Sequence, residues 1–103
     1  MAWIPVCDDG EVPGDGEGHV VEAGGKRIAL FRTGGRIFAI DDECPHEAGT
    51  SLALGWVDGF TIECPYHQSC FDLRTGAVLS APADRDVGCY KARIEGGSVE
   101  LDI

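Results

Sequence analysis

The sequence predicts an all-β fold, a small antiparallel sandwich or barrel made of hairpins. Three observations predict it. Short apolar segments of alternating character recur along the 103 residues, fifteen glycines and five prolines punctuate them, and no segment sustains helical periodicity. A chain of this length is one domain, 1–103, with a modest core and no room for a separate cofactor domain.

The elements follow in order. HVVEA (19–23) is closed by Gly24-Gly25 and followed by RIALF (27–31), then the turn TGG and RIFAI (36–40). LGWVDG (54–59) leads into FTIEC (60–64), with Asp58-Gly59 as the hairpin turn. SCFDL (69–73) and AVL (77–79) flank Arg74-Thr75-Gly76 as a further hairpin. CYKARIE (89–95), Gly96-Gly97 and VELDI (99–103) close the chain, giving about nine strands. Residues 1–40 and 85–103 read as one base scaffold, and 41–84 as a small subdomain inserted into it. Trp3 and Trp56 are expected in core or turn packing, and His19 at the surface end of a strand.

Charge narrows the partners. Eight Lys plus Arg against eighteen Asp plus Glu give −10, distributed along the chain. Nucleic acid and anionic membrane surfaces are therefore excluded as partners, whereas a basic protein patch fits. No stretch approaches the ~20 apolar residues of a membrane span, and the start MAWIPVCDDGE has no secretory pattern, so a cytoplasmic location is expected.

The chemistry lies in a repeated tripeptide. Glu-Cys-Pro occurs at 43–45 and again at 63–65, giving Cys44-Pro45-His46 and Cys64-Pro65-Tyr66-His67. Positions 47 through 63, seventeen residues, lie between His46 and Cys64, enough for a hairpin that returns the second loop beside the first. Each proline fixes a backbone dihedral and removes an amide, which suits a rigid ligand loop. Two thiolates and two neutral imidazoles complete a metal's inner shell. Three readings stand at this point: core thiols with ordinary loop histidines, a structural Cys₂His₂ zinc site, and an iron–sulfur cluster with two thiolates on one iron and two imidazoles on the other. Zinc sites commonly pair Cys with Cys and His with His; here each loop carries one of each, which favours the cluster.

CPHEAG, the spacer and CPYHQSCFDLRTG resemble the Rieske [2Fe–2S] domain. With FAIDDECPH and YKARIEGGSVELDI, essentially the whole chain resembles the stand-alone Rieske-type ferredoxins of bacterial ring-hydroxylating dioxygenase systems. The resemblance implies one [2Fe–2S] cluster per chain, with Cys44 and Cys64 on the inner iron and His46 and His67 on the outer. The loop-to-loop disulfide of high-potential relatives is ruled out by Gly49 and Tyr66 at its positions. Cys7, Cys70 and Cys89 are then free, buried or partly buried thiols.

The neighbouring positions imply a potential. Ser69 keeps one hydroxyl donor of the high-potential group, whereas Phe71 stands where a second would be. A missing donor and an acidic protein both disfavour the added electron, so the potential falls toward the low end, roughly −150 mV. Gln68 replaces the glycine usual after the second histidine, implying an altered loop backbone or a polar group beside His67. Pro82, in SAPADRD (80–86), corresponds to the family's covering proline, and Asp86 replaces a second proline, implying a looser loop.

The resemblance implies an electron carrier that does no bond chemistry. It would take one electron at a time from a flavin-dependent ferredoxin reductase and deliver it to a terminal oxygenase. Asp42, Glu43 and Glu47 would meet basic patches on those partners. The alternatives are a Rieske small subunit of a larger reductase, such as one acting on nitrite, and a zinc-stabilised interaction domain. Imidazole ligation further implies that electron and proton affinity couple at high pH.

Overall fold

The computed structural model describes residues 2–14, 16–45, 49–65, 68–81, 83 and 85–103. Among them are nine strands: β1 (Trp3–Asp8), β2 (Gly18–Ala23), β3 (Lys26–Thr33), β4 (Arg36–Asp41), β5 (Trp56–Asp58), β6 (Thr61–Glu63), β7 (Cys70–Asp72), β8 (Cys89–Glu95) and β9 (Ser98–Asp102), with single 3₁₀ turns at Asp9–Glu11 and Leu52–Leu54. One antiparallel sheet runs β1-β9-β8-β4-β3-β2 and curls until its edge strands approach each other, a nearly closed barrel. The second sheet is β5-β6-β7.

β3 and β4 are covered on both faces, which explains their almost unbroken apolar runs. Ile28, Leu30, Ile37 and Ala39 point into the barrel against Val99 and Leu101. Their alternates Ala29, Phe31, Phe38 and Ile40 point outward, into a second apolar cluster shared with Ile62 and Phe71 of the small sheet. Register explains that sheet's two faces: Val57, Ile62 and Phe71 form one cross-strand row toward this cluster, and Trp56, Glu63 and Cys70 form the next, facing out. Trp56 is therefore 60% exposed, not packed as expected. Trp3 is 37% exposed on edge strand β1, with the Arg93 guanidinium 4.2 Å over its ring. His19 is half-buried in β2.

Two elements differ from the sequence reading. β1 was not among the expected strands; it pairs with β9 through a bulge between Pro5 and Cys7, and an edge position tolerates Pro5. AVL (77–79) forms no strand, only an isolated bridge from Val78 to Phe71. Two backbone bonds flank that bridge, Asp72 N–H to the Ala77 carbonyl and Leu79 N–H to the Cys70 carbonyl, but side chains take the next amides: Ala77 N–H donates to Thr75 Oγ1 and Cys70 N–H to Ser80 Oγ.

The turn after β7 is organised by Asp72, whose Oδ1 accepts from the Arg74 amide (2.8 Å) and Nε (3.1 Å), and Oδ2 from Nη2 (3.0 Å). These bonds, the side-chain ones foremost, hold the Asp72 carboxyl below its ordinary 3.8. A depressed folded value means a contribution present in full above the unfolded pKa and lost as pH falls through the folded one. Asp72→Asn is expected to flatten the decline of thermal stability from about pH 4 downward; identical acid slopes in parent and variant melts would contradict it. Gly76 completes the turn at φ 78, where an added Cβ would lie 2.2 Å from the Val87 carbonyl oxygen.

Candidate metal centre

Each Cys-Pro loop is closed at its base by the cysteine's own amide. Cys44 N–H donates to the Thr50 carbonyl at 3.1 Å, and Cys64 N–H to the Ser69 carbonyl at 2.7 Å. Both thiols are buried, Cys44 at 1% and Cys64 at 0% exposure, in the apolar cluster that β3 and β4 share with Leu52, Phe71 and Leu73. Gly55, which ends the Leu52–Leu54 turn, packs its backbone against the stem of the second loop: an added Cβ there would lie 2.0 Å from the carbonyl oxygen of Glu63, the residue before Cys64.

The first loop hangs on Asp42, two residues before Cys44. Its Oδ1 accepts from Ser51 Oγ (2.6 Å) and the Ala53 amide (3.0 Å), and Oδ2 faces Arg27 Nη2 at 3.4 Å. Its carbonyl accepts from Leu52 N–H at 2.7 Å, and its own N–H donates to the Arg27 carbonyl. At 2% exposure Asp42 is not a docking residue, which corrects the sequence reading; the carboxylate holds the returning backbone. Glu43 is exposed, and its Oε2 accepts from Gly49 N–H at 3.1 Å. One residue upstream, Asp41 ties β4 to β8, accepting from the Gly88 amide at 2.9 Å and from the Tyr90 hydroxyl. Burial first, then that bond, push the Tyr90 phenol well above its ordinary value.

Around the second loop, Gln68 itself takes the left-handed conformation at φ 61. It thus keeps a backbone turn that glycine adopts without strain, at a cost on the order of 1–2 kcal/mol. Ser69 is fully buried, and its Oγ accepts from the Ala83 amide at 2.9 Å. Phe71 is buried in the cluster that holds both thiols. Asp86 accepts at Oδ1 from Val78 N–H at 2.9 Å, a bond a proline side chain could not make. His46, Glu47, His67 and Pro82 lie outside the described residues.

Of the remaining cysteines, none forms a disulfide. Cys7 is half-buried, and burial, then Glu11, Asp8 and Asp9, push its thiol up, keeping it protonated. Cys70 is half-buried, with Sγ 3.7 Å from the Gln68 carbonyl. Cys89 is exposed, against the expectation of burial, because it begins β8 at the molecular surface.

The chemistry of the donors suits iron held by thiolates. Two cysteine side chains sit out of water in one apolar cluster, on loops of the same build, a setting for soft thiolate ligands. Among the described residues no three His, Cys, Asp or Glu side chains converge on one point. Residues 2–91 match the family model of the Rieske [2Fe-2S] domain. The chain belongs to the Rieske family. It carries a Rieske-type [2Fe–2S] cluster, and curated relatives that it matches are ferredoxin components of dioxygenase systems. This Rieske chain is 40% identical over 102 residues to the ferredoxin component of a naphthalene 1,2-dioxygenase system from Pseudomonas aeruginosa, spanning 98% of this chain and 95% of the relative. Its fold matches the Sphingomonas yanoikuyae B1 ferredoxin with a TM-score of 0.89 at 32% identity, over 99% of both chains. A chain from the complex of reduced oxygenase and oxidized ferredoxin in carbazole 1,9a-dioxygenase matches at 0.84 and 30% identity, covering 96% of this chain and 100% of that one. As with these relatives, the role of the Rieske chain is electron transfer and not catalysis. Among its described residues no helix is long and apolar enough to cross a membrane.

Neither Asp42 nor the exposed Trp56 announces its setting in the sequence. Asp42 sits in the run Asp-Asp-Glu, which has the composition of a solvated segment. The one local signal is Ser51-Leu52-Ala53, whose amides and hydroxyl need an acceptor where the 3₁₀ turn begins.

Proposed function

We propose that this Rieske chain carries single electrons from a flavin-dependent ferredoxin reductase to the terminal oxygenase of an aromatic-ring-hydroxylating system in the cytoplasm. In this reading Cys44 and Cys64 hold the inner iron and His46 and His67 the outer. Residues 41–84 form the cluster-binding subdomain, on a base of 1–40 and 85–103. The observation that carries it is the pairing of two buried thiols in one apolar cluster, each at the base of a loop closed by its own amide. Relatives spanning nearly the whole chain are ferredoxin components of dioxygenase systems, and one structural neighbour comes from a complex with its oxygenase.

When bound, the cluster supplies reversible one-electron chemistry. The protein's part is to hold it still and set its potential. Ser69 Oγ uses one lone pair on the Ala83 amide, so its hydroxyl hydrogen would be available as a donor to the cluster. Phe71 brings no such donor. Phe71→Tyr is therefore expected to raise the midpoint potential by about 60 mV, a tenfold change in a one-electron equilibrium, read by protein-film voltammetry. An unmoved potential would mean that no donor is missing at this position.

The deciding experiment is low-temperature electron paramagnetic resonance of the dithionite-reduced protein, followed by stopped-flow mixing with a reduced ferredoxin reductase and with an oxygenase. A binuclear signal with average g below that of all-cysteine clusters, and single-electron transfer in both mixings, is expected. Zinc without that signal would overturn the cluster assignment; the signal without transfer to the oxygenase would overturn the role.

A further inference from the structure

The segment after the second loop holds the two Cys-Pro loops unevenly. Toward the second loop the described residues make three bonds: Cys70 N–H donates to Ser80 Oγ at 3.0 Å, Leu79 N–H to the Cys70 carbonyl at 2.7 Å, and Ala83 N–H to Ser69 Oγ at 2.9 Å. Its far end is pinned by Val78 N–H on Asp86 Oδ1 and by Val87 N–H on the Gly76 carbonyl, each 2.9 Å. Toward the first loop the described residues show one bond. Arg85 Nη2 donates to the Pro45 carbonyl at 3.1 Å, between positions 40 apart. Pro45 directly follows Cys44, and no disulfide joins the loops.

On the ligand reading above, we propose that Arg85 is a positioning residue that ties this covering segment to the first Cys-Pro loop and places a fixed positive charge beside it. In a chain of net charge −10, Arg85 lines an open cavity of about 850 Å³ beside Pro45, where Lys26 and Arg27 face the carboxylates of Asp41, Asp42, Glu43 and Asp86. Two consequences follow. Without the guanidinium the covering segment keeps its bonds to the second loop but loses this hold on the first, so iron is reached more readily. A cation near the cluster also favours the more negative, reduced state, so its removal lowers the potential.

The test uses the cluster-loaded protein and three variants. Loss of visible absorption in excess chelator is followed at fixed temperature, with the midpoint potential measured alongside. Arg85→Gln is expected to bleach about fivefold faster, the rate equivalent of one ordinary hydrogen bond, and to have a lower potential. Arg85→Lys, which keeps the charge and one donor, is expected to recover most of both. Arg36→Gln removes the same charge at the opposite end of β4 and is expected to follow the parent. Arg85→Gln that bleaches at the parent rate, or keeps the parent potential, overturns the proposal, as does Arg36→Gln that behaves like Arg85→Gln. Arg85→Lys as fast as Arg85→Gln would replace the donor role with guanidinium packing. A parent without the binuclear signal would overturn the ligand reading itself, which the chelator assay on a cluster-bearing parent cannot do.

Discussion

Cys64→Ala is expected to yield protein with background iron, no visible cluster absorption and no binuclear signal after reduction. The thiol is fully buried beneath a loop that its own amide closes onto Ser69, so no solvent-exposed side chain stands ready to replace it. Truncation of so small a side chain costs only about 1 kcal/mol in packing, so the loss of cluster far outweighs the loss of core. Cys64→Ser separates the two: it restores most of the volume but offers a hydroxyl that binds iron weakly. Equal iron loss in both variants assigns the effect to the thiolate. Full cluster occupancy in Cys64→Ala would remove this residue from the ligand set, and with it the pairing of the two buried thiols.

The second large effect lies outside the ligands. Asp42→Ala strips the acceptor from the buried Ala53 amide and from Ser51 Oγ at once, and leaves Arg27 without its partner carboxylate. Arg27 is 62% exposed, so that pair adds little; the buried Ala53 amide and the partly buried Ser51 hydroxyl dominate. A loss of about 3 kcal/mol is expected, a fall in Tm of roughly 12–24 °C for a domain of this size. Asp42→Asn keeps the Oδ1 acceptor and should cost about 1 kcal/mol. Chemical denaturation of both variants, with and without iron, measures this. Equal losses from Ala and Asn would place the effect in the charge and not in the acceptor. A negligible loss in both would return Asp42 to the surface role its composition implies.

That contrast shows where the sequence was legible. Hairpins closed by Gly24-Gly25, Gly34-Gly35, Asp58-Gly59 and Gly96-Gly97 could be read directly, because each of these glycines takes positive φ at a turn between alternating segments. The Rieske family was legible in the paired motif for a chemical reason, since mixed Cys and His on each loop suits a cluster better than zinc, and the match over residues 2–91 agrees with it. β1 was hidden because Pro5 and the bulge at Cys7 break its alternation. AVL had a strand's composition, but Thr75 captured the Ala77 amide and Ser80 that of Cys70, which stops the ladder at one bridge. Asp42 and Trp56 were misplaced for a shared reason. Which side of a short segment faces inward depends on what the fold lays against it, and one residue of register reverses the answer. The Arg85 to Pro45 contact spans 40 positions and has no local sign at all.

The two-sided burial of β3 and β4 has a consequence for how the molecule comes apart. Successive residues of β3 serve different interiors, Ile28 and Leu30 the barrel, Ala29 and Phe31 the layer containing the two thiols. Neither interior can be dismantled while its neighbour stays whole, since both are built on the same pair of ribbons. Hydrogen exchange at the Ala29 to Phe31 amides should therefore be slowest in the chain and should quicken when iron is withdrawn. Metal occupancy, set at the two Cys-Pro loops, would then be felt by the entire domain as a single cooperative unit.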